Sequence, residues 1–180
     1  MNSRRSTKTL GSAPIATASV RERPGDLARL LWRNLALEVP VDLGAISQAV
    51  GLDVEFADYP PSLAGCYIRM PSGAAFAVLN RVLPTGRVRF TCAHEIGHHL
   101  LTDGKTAVTL AGSAGHTADP EERTCDLFAA NLLMPGRLVC SRWAVTAGKP
   151  LRNRLADLSE IFGVSRWTVL RRLEELELDR

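Results

Sequence analysis

Apolar positions recur three and four residues apart at Leu27, Leu30, Leu31 and Leu35, behind an Asp26 able to cap a helix and ahead of Pro40, which ends one. The spacing predicts an amphipathic helix with its apolar stripe in a core. The pattern repeats over 41–50, with Asp42 near the start, Leu43, Ile46 and Val50 on one side, and Gly51 as the exit. The period then drops to two. Val54 and Phe56 alternate with Glu55 and Asp58 until Pro60-Pro61, so 53–59 is expected as a strand followed by a loop. Residues 65–70 and 75–79 read as two more strands, joined through Pro71-Ser72-Gly73 in an antiparallel hairpin.

Past a loop holding Pro84 and Gly86, the pattern is mostly helical. A helix is expected from about 88 to 101, ended by Thr102-Asp103-Gly104, and 106–117 is small and Gly-rich, which reads as a surface loop. Asp119-Pro120-Glu121-Glu122 starts the next helix, with Pro near its first position and acids in its first turn. It runs to Met134, before Pro135-Gly136. Residues 155–173 read as two helices around Phe162-Gly163-Val164-Ser165, the order of a helix-turn-helix. The class is therefore α+β: a small antiparallel sheet packed with the 88–101 helix, plus a C-terminal helical, helix-turn-helix-like segment. The expected division is an arm at 1–24, a main domain at 25–135 and the helical segment at 136–180.

Composition narrows the class. With 180 residues, 46% of them apolar, the chain can bury one sizeable core, and its best apolar stretch, Leu27 to Val39, is cut by Arg29, Arg33, Asn34 and Glu38. No membrane span is expected. Residues 10–20 are threaded with Gly, Ser, Thr and Pro and offer no apolar stretch for an export signal, so the expected location is cytoplasmic. Cys66, Cys92, Cys125 and Cys140 show no C-x-x-C spacing and read as thiols packed as small hydrophobes.

The net charge of +3 misleads, because residues 1–23 hold five basic groups against Glu22 and leave the remainder close to neutral. A second basic excess lies between Arg137 and Leu173. There, Arg166, Arg171 and Arg172 are candidate contacts to nucleic-acid phosphates. The competing account packs these helices on the core and pairs Arg171 or Arg172 with Glu174 or Glu175, and it is the preferred one.

His94-Glu95-Ile96-Gly97-His98 carries the chemistry. A four-residue step puts both imidazoles on one helical face, where they can share a metal ion, and Glu95 lies about 100° round the axis, in reach of a water on that ion. That is a general base's place. A catalytic zinc site takes three protein ligands, so a third must come from elsewhere, and the following helix offers Glu121 and Glu122. Glu122 is preferred because Asp126, one turn on, can accept the N–H of a ligand histidine. Either glutamate could instead simply favour a helix N-terminus. Candidate donors to a developing oxyanion are His116, Tyr67 and His99, and the 65–79 hairpin is the expected sheet edge for a docked peptide.

Residues 87–101, Arg87-Val88-Arg89-Phe90-Thr91-Cys92-Ala93-His94-Glu95-Ile96-Gly97-His98-His99-Leu100-Leu101, then Glu122 to Asp126, then Phe128-Ala129-Ala130-Asn131-Leu132-Leu133-Met134-Pro135, resemble the ImmA/IrrE family of metallopeptidases. The similarity covers about 25–178. It implies a minimal gluzincin-like fold in which His94, His98 and Glu122 bind zinc, or another divalent ion, and Glu95 activates a water. Many relatives carry Asn where this chain has Asp126, and the acid is the stronger acceptor for an imidazole N–H. The resemblance further implies a zinc-dependent endopeptidase whose partner is a repressor of the XRE helix-turn-helix type, cleaved to derepress genes. Two rival readings stand beside it: a DNA-binding regulator using the C-terminal segment, and an antitoxin-like interaction protein.

Overall fold

The computed structural model describes residues 23–101, 107–112 and 119–178, with 107–112 described by its backbone alone. Helix α1 (Pro24–Asn34) starts with Pro at its first position. Asp26 is not the cap expected from the sequence; it sits inside the first turn, paired with Arg29, and Arg23 takes the cap position without a side-chain bond. The helix ends six residues short of Pro40, where Ala36 turns left-handed at φ 47°. Helix α2 (Leu43–Val50) follows the sequence expectation: Asp42 accepts from Ala45 N at 3.0 Å, and Gly51 leaves at φ 76°, which glycine adopts without strain.

Strands β1 (Asp53–Ala57), β2 (Leu63–Arg69), β3 (Ala75–Asn80) and β4 (Ala107–Gly112) form one sheet in the order β1-β3-β2-β4. β2 and β3 make the expected antiparallel hairpin, with Tyr67 opposite Ala77. The sheet as a whole is mixed, not antiparallel, because β3 enters between β1 and β2 and runs parallel to β1. The chain linking β1 to β2 must therefore cross the end of β3. Asn80, at that end and fully buried, holds the crossing: its amide nitrogen donates to Tyr59 O, Pro60 O and Leu63 O, and its oxygen accepts from Tyr59 N and Val82 N. Part of the expected 106–117 loop is instead β4, antiparallel to β2. The hairpin consequently has no free edge, and the sheet's edges are β1 and β4. On edge strand β1, Phe56 is 55% exposed, contrary to its alternation.

Helix α3 (Thr85–Leu101) lies across β2 and β3, close at Gly65, where a Cβ would meet Thr91 Cγ2 at 2.9 Å. Helix α4 (Pro120–Leu133), capped by Asp119, packs between α3 and α1, and Trp32 Nε1 donates to Leu132 O at 2.8 Å. Helices α5 (Gly136–Val145), α6 (Leu151–Phe162) and α7 (Arg166–Glu175) complete the described chain. Leu158, Phe162, Val164, Val169 and Leu173 join the same core cluster as Leu31, Ile46, Tyr67, Ile96 and Phe128. The α6–α7 turn seats directly on α3. A Cβ at Gly86 would come within 2.7 Å of Ser165 N, and Arg89 donates to Gly163 O at 3.0 Å and Val41 O at 2.7 Å. No helix among the described residues is long and apolar enough to cross a membrane.

Candidate metal centre

The middle of α3, from Thr91 to His98, is buried throughout, since the helix is sandwiched between sheet and α4. Gly97 permits the sandwich: a Cβ there would lie 3.1 Å from Phe128 Cδ1 and 3.3 Å from Cys125 Cα. One turn of α3 separates His94 from His98 and brings their Nε2 atoms to 3.0 Å. From the first turn of α4, Glu122 reaches both rings: Oε2 is 3.1 Å from His94 Nε2 and Oε1 is 3.1 Å from His98 Nε2. Of the two glutamates, Glu122 is thus the one between the rings. Asp126 Oδ1 accepts from His94 Nδ1 at 2.8 Å, as its spacing from Glu122 suggested.

Glu95 is 0% exposed, and neither carboxylate oxygen has a hydrogen-bond partner among the described residues. Burial, opposed by the His94 charge and aided by Glu122, pushes it up to about 8. For His94, burial disfavours the cation, yet the bonds to Asp126 and Glu122 and the nearby acids raise it to about 10. His98 is lowered by burial and by the His94 charge, against the pull of Glu122 and Glu121. The hydrogen bond to His94 holds Glu122 below the usual carboxylate range despite burial. Carboxylates crowded round two imidazoles are an environment that wants positive charge.

These residues suit a divalent cation. The nitrogen, nitrogen and oxygen donors of His94, His98 and Glu122 converge. Their 3.0–3.1 Å separations approach the roughly 3.3 Å between neighbouring ligands on a tetrahedral ion with bonds of about 2.0–2.1 Å. The Glu95 carboxylate beside them is a buried polar group without a partner among the described residues, of the kind that marks a working site.

Other candidates are placed differently. Tyr67 is fully buried with its ring 6.2 Å from that of His98 and 12° from parallel. Its hydroxyl accepts from Arg69 Nε at 2.7 Å and lies 3.3 Å from His99 Nδ1, so it is committed there rather than offered to an oxyanion. His99 Nε2 donates to Val50 O at 2.9 Å, away from the other two histidines. His116 lies outside the described residues. Arg166 is exposed and Arg171 half-buried. Arg172 is 5% exposed and donates to Met134 O at 3.1 Å, Asn131 Oδ1 at 2.8 Å and Glu175 at 2.8 Å, the packed and locally paired arrangement preferred from the sequence, and it is not offered to a phosphate. Two neighbours of these rings were not read for where the structure puts them. Arg69, which also donates to His99 O at 2.9 Å, leaves no trace in spacing; Glu121, whose Oε1 is 3.4 Å from His98 Nδ1, was visible only as one half of a Glu-Glu pair.

The model of one protein family, described as the IrrE N-terminal-like domain (Peptidase_M78), matches residues 50–174. No curated protein matches the chain.

Proposed function

From the premise that the chain belongs to the IrrE N-terminal-like family of metallopeptidases, we propose that it is a zinc-dependent endopeptidase hydrolysing a peptide bond in a partner protein, an XRE-type repressor. One observation carries the reading: a carboxylate with no exposure, and with no hydrogen-bond partner among the described residues, stands beside three converging metal donors. Burying such a group costs several kcal/mol without structural return, so its use is chemical.

His94, His98 and Glu122 would hold the ion, and its borderline-soft preference for mixed nitrogen and oxygen donors favours zinc. When bound, the ion supplies Lewis acidity toward a water and toward the scissile carbonyl. The chain's residues do the rest. Asp126 fixes the His94 ring through Nδ1, leaving Nε2 to face Glu122. Glu95 takes a proton from the attacking water and returns it to the leaving amine nitrogen, as the carbon–nitrogen bond breaks into a carboxylate and an amine. Burial raises Glu95 above the usual carboxylate range, and a cation beside it would draw it back down.

Glu95→Gln retains volume and should keep stoichiometric zinc while cleavage of a co-expressed XRE repressor falls by about 10²–10⁴. Undiminished cleavage by that variant overturns the proposal.

A further inference from the structure

Helix α4 supplies more than one carboxylate to the histidines. Glu122 faces both Nε2 atoms, each at 3.1 Å from one of its oxygens, and Asp126 accepts from Nδ1 of His94 at 2.8 Å. The ring of His98 has an acid facing its far nitrogen: Glu121 Oε1 is 3.4 Å from His98 Nδ1, a charge contact outside hydrogen-bond geometry, while the ring itself is 1% exposed. We infer that Glu121 is a positioning residue for the metal centre, the acceptor that the Nδ1–H of His98 meets once its Nε2 turns to the ion, as Asp126 already accepts from His94. The inference rests on the metal-centre reading above.

The placement follows from α4's first turn. Asp119 accepts from Glu121 N at 2.9 Å, which fixes the backbone where the two glutamates diverge. Consecutive residues are about 100° apart on a helix. Glu122 therefore points between the rings, at 14% side-chain exposure, while Glu121 passes outside the second ring, at 56%. Tyr67, nearly parallel to the His98 ring, limits its tilt, and a carboxylate facing Nδ1 favours the proton on that nitrogen, which leaves Nε2 for the ion. Carboxylates behind ligand imidazoles raise ligand basicity, and their removal costs 10–100-fold in metal affinity. Glu121 is longer-range and wetter than Asp126, which is 45% exposed at 2.8 Å. The ranking is thus fixed in advance: Asp126→Ala toward about a hundredfold and Glu121→Ala near tenfold.

The test is zinc affinity and dissociation rate by chelator competition on the full chain, needing no substrate. Glu121→Ala and Glu121→Gln both remove a charge from the helix start and should lower the thermal midpoint of the metal-free protein alike. Only Gln keeps an acceptor for Nδ1–H, so the inference expects Ala to weaken zinc binding about tenfold, with faster release, and Gln to recover most of that loss. Equal affinities for wild type, Ala and Gln overturn it, as does equal loss in both variants, which marks a charge effect alone. Absence of stoichiometric zinc on the wild type, or its persistence in Glu122→Ala, sinks the underlying metal reading instead.

Discussion

Gly97→Ala probes the contact on which the whole site is mounted. Two effects of opposite sign compete. Alanine in a helix interior gains about 1 kcal/mol over glycine. The new methyl, however, would stand 3.1 Å from Phe128 Cδ1 and 3.3 Å from both Cα and Cβ of Cys125, closer than van der Waals contact. Phe128 and Cys125 are both fully buried, so neither can swing into solvent, and overpacking of this kind costs about 1–3 kcal/mol. The second effect wins, for a net loss of about 1 kcal/mol in urea unfolding of the metal-free protein. Relief by moving α4 transmits the strain to the site, because Cys125 sits between Glu122 and Asp126 on that helix. A shift of a few tenths of an ångström there opens the 3.1 Å contacts of Glu122, and zinc affinity should drop about tenfold. Pairing the change with Phe128→Leu removes one of the three close contacts, so the double variant should be about 1 kcal/mol more stable than the sum of the singles. The reasoning is refuted if Gly97→Ala gains the full helical increment, keeps its zinc affinity and adds to Phe128→Leu without coupling.

Arg172→Met removes a guanidinium that bonds Met134 O and Asn131 and should cost about 3 kcal/mol in urea unfolding, whereas Arg166→Ala on the exposed face should stay within about 0.5 kcal/mol. Equal effects would contradict the packed role of Arg172. Under native conditions a thiol reagent should modify only the exposed Cys140 rapidly, and all four cysteines after unfolding, because burial raises the thiols of Cys66, Cys92 and Cys125. Burial, partly offset by the neighbouring Ser47 hydroxyl, takes Cys92 to about 11 and so favours the neutral thiol in the folded chain. Its contribution to stability is intact below the ordinary thiol value of 9.0 and is lost as the pH climbs through 11, which alkaline urea titrations of wild type against Cys92→Ala would show.

Local chemistry was legible in the residues alone. The four-residue step from His94 to His98 and from Glu122 to Asp126, the Asp42 cap with its Gly51 exit, and the Asp119-Pro120 start of α4 each act within a turn or two of helix. Their consequences are set by helical geometry wherever the helix is placed. The Pro71-Ser72-Gly73 turn likewise joined its two neighbouring strands.

What crossed long stretches of sequence was decided by the fold. The insertion of β3 between β1 and β2, held by Asn80, made the sheet mixed, and β4 closed one side of the hairpin that had looked like an edge. Phe56 alternates like a buried residue yet stands exposed on an edge strand, while Arg172, expected to pair locally with Glu174 or Glu175, also reaches across to Met134 O and Asn131. Tyr67 and Glu121 acquire their meaning only from His98, which stands 31 and 23 residues away. Periodicity records which side of an element is apolar. It carries no record of which partner covers that side, because burial belongs to pairs of surfaces and those pairs exist only once the chain has closed on itself.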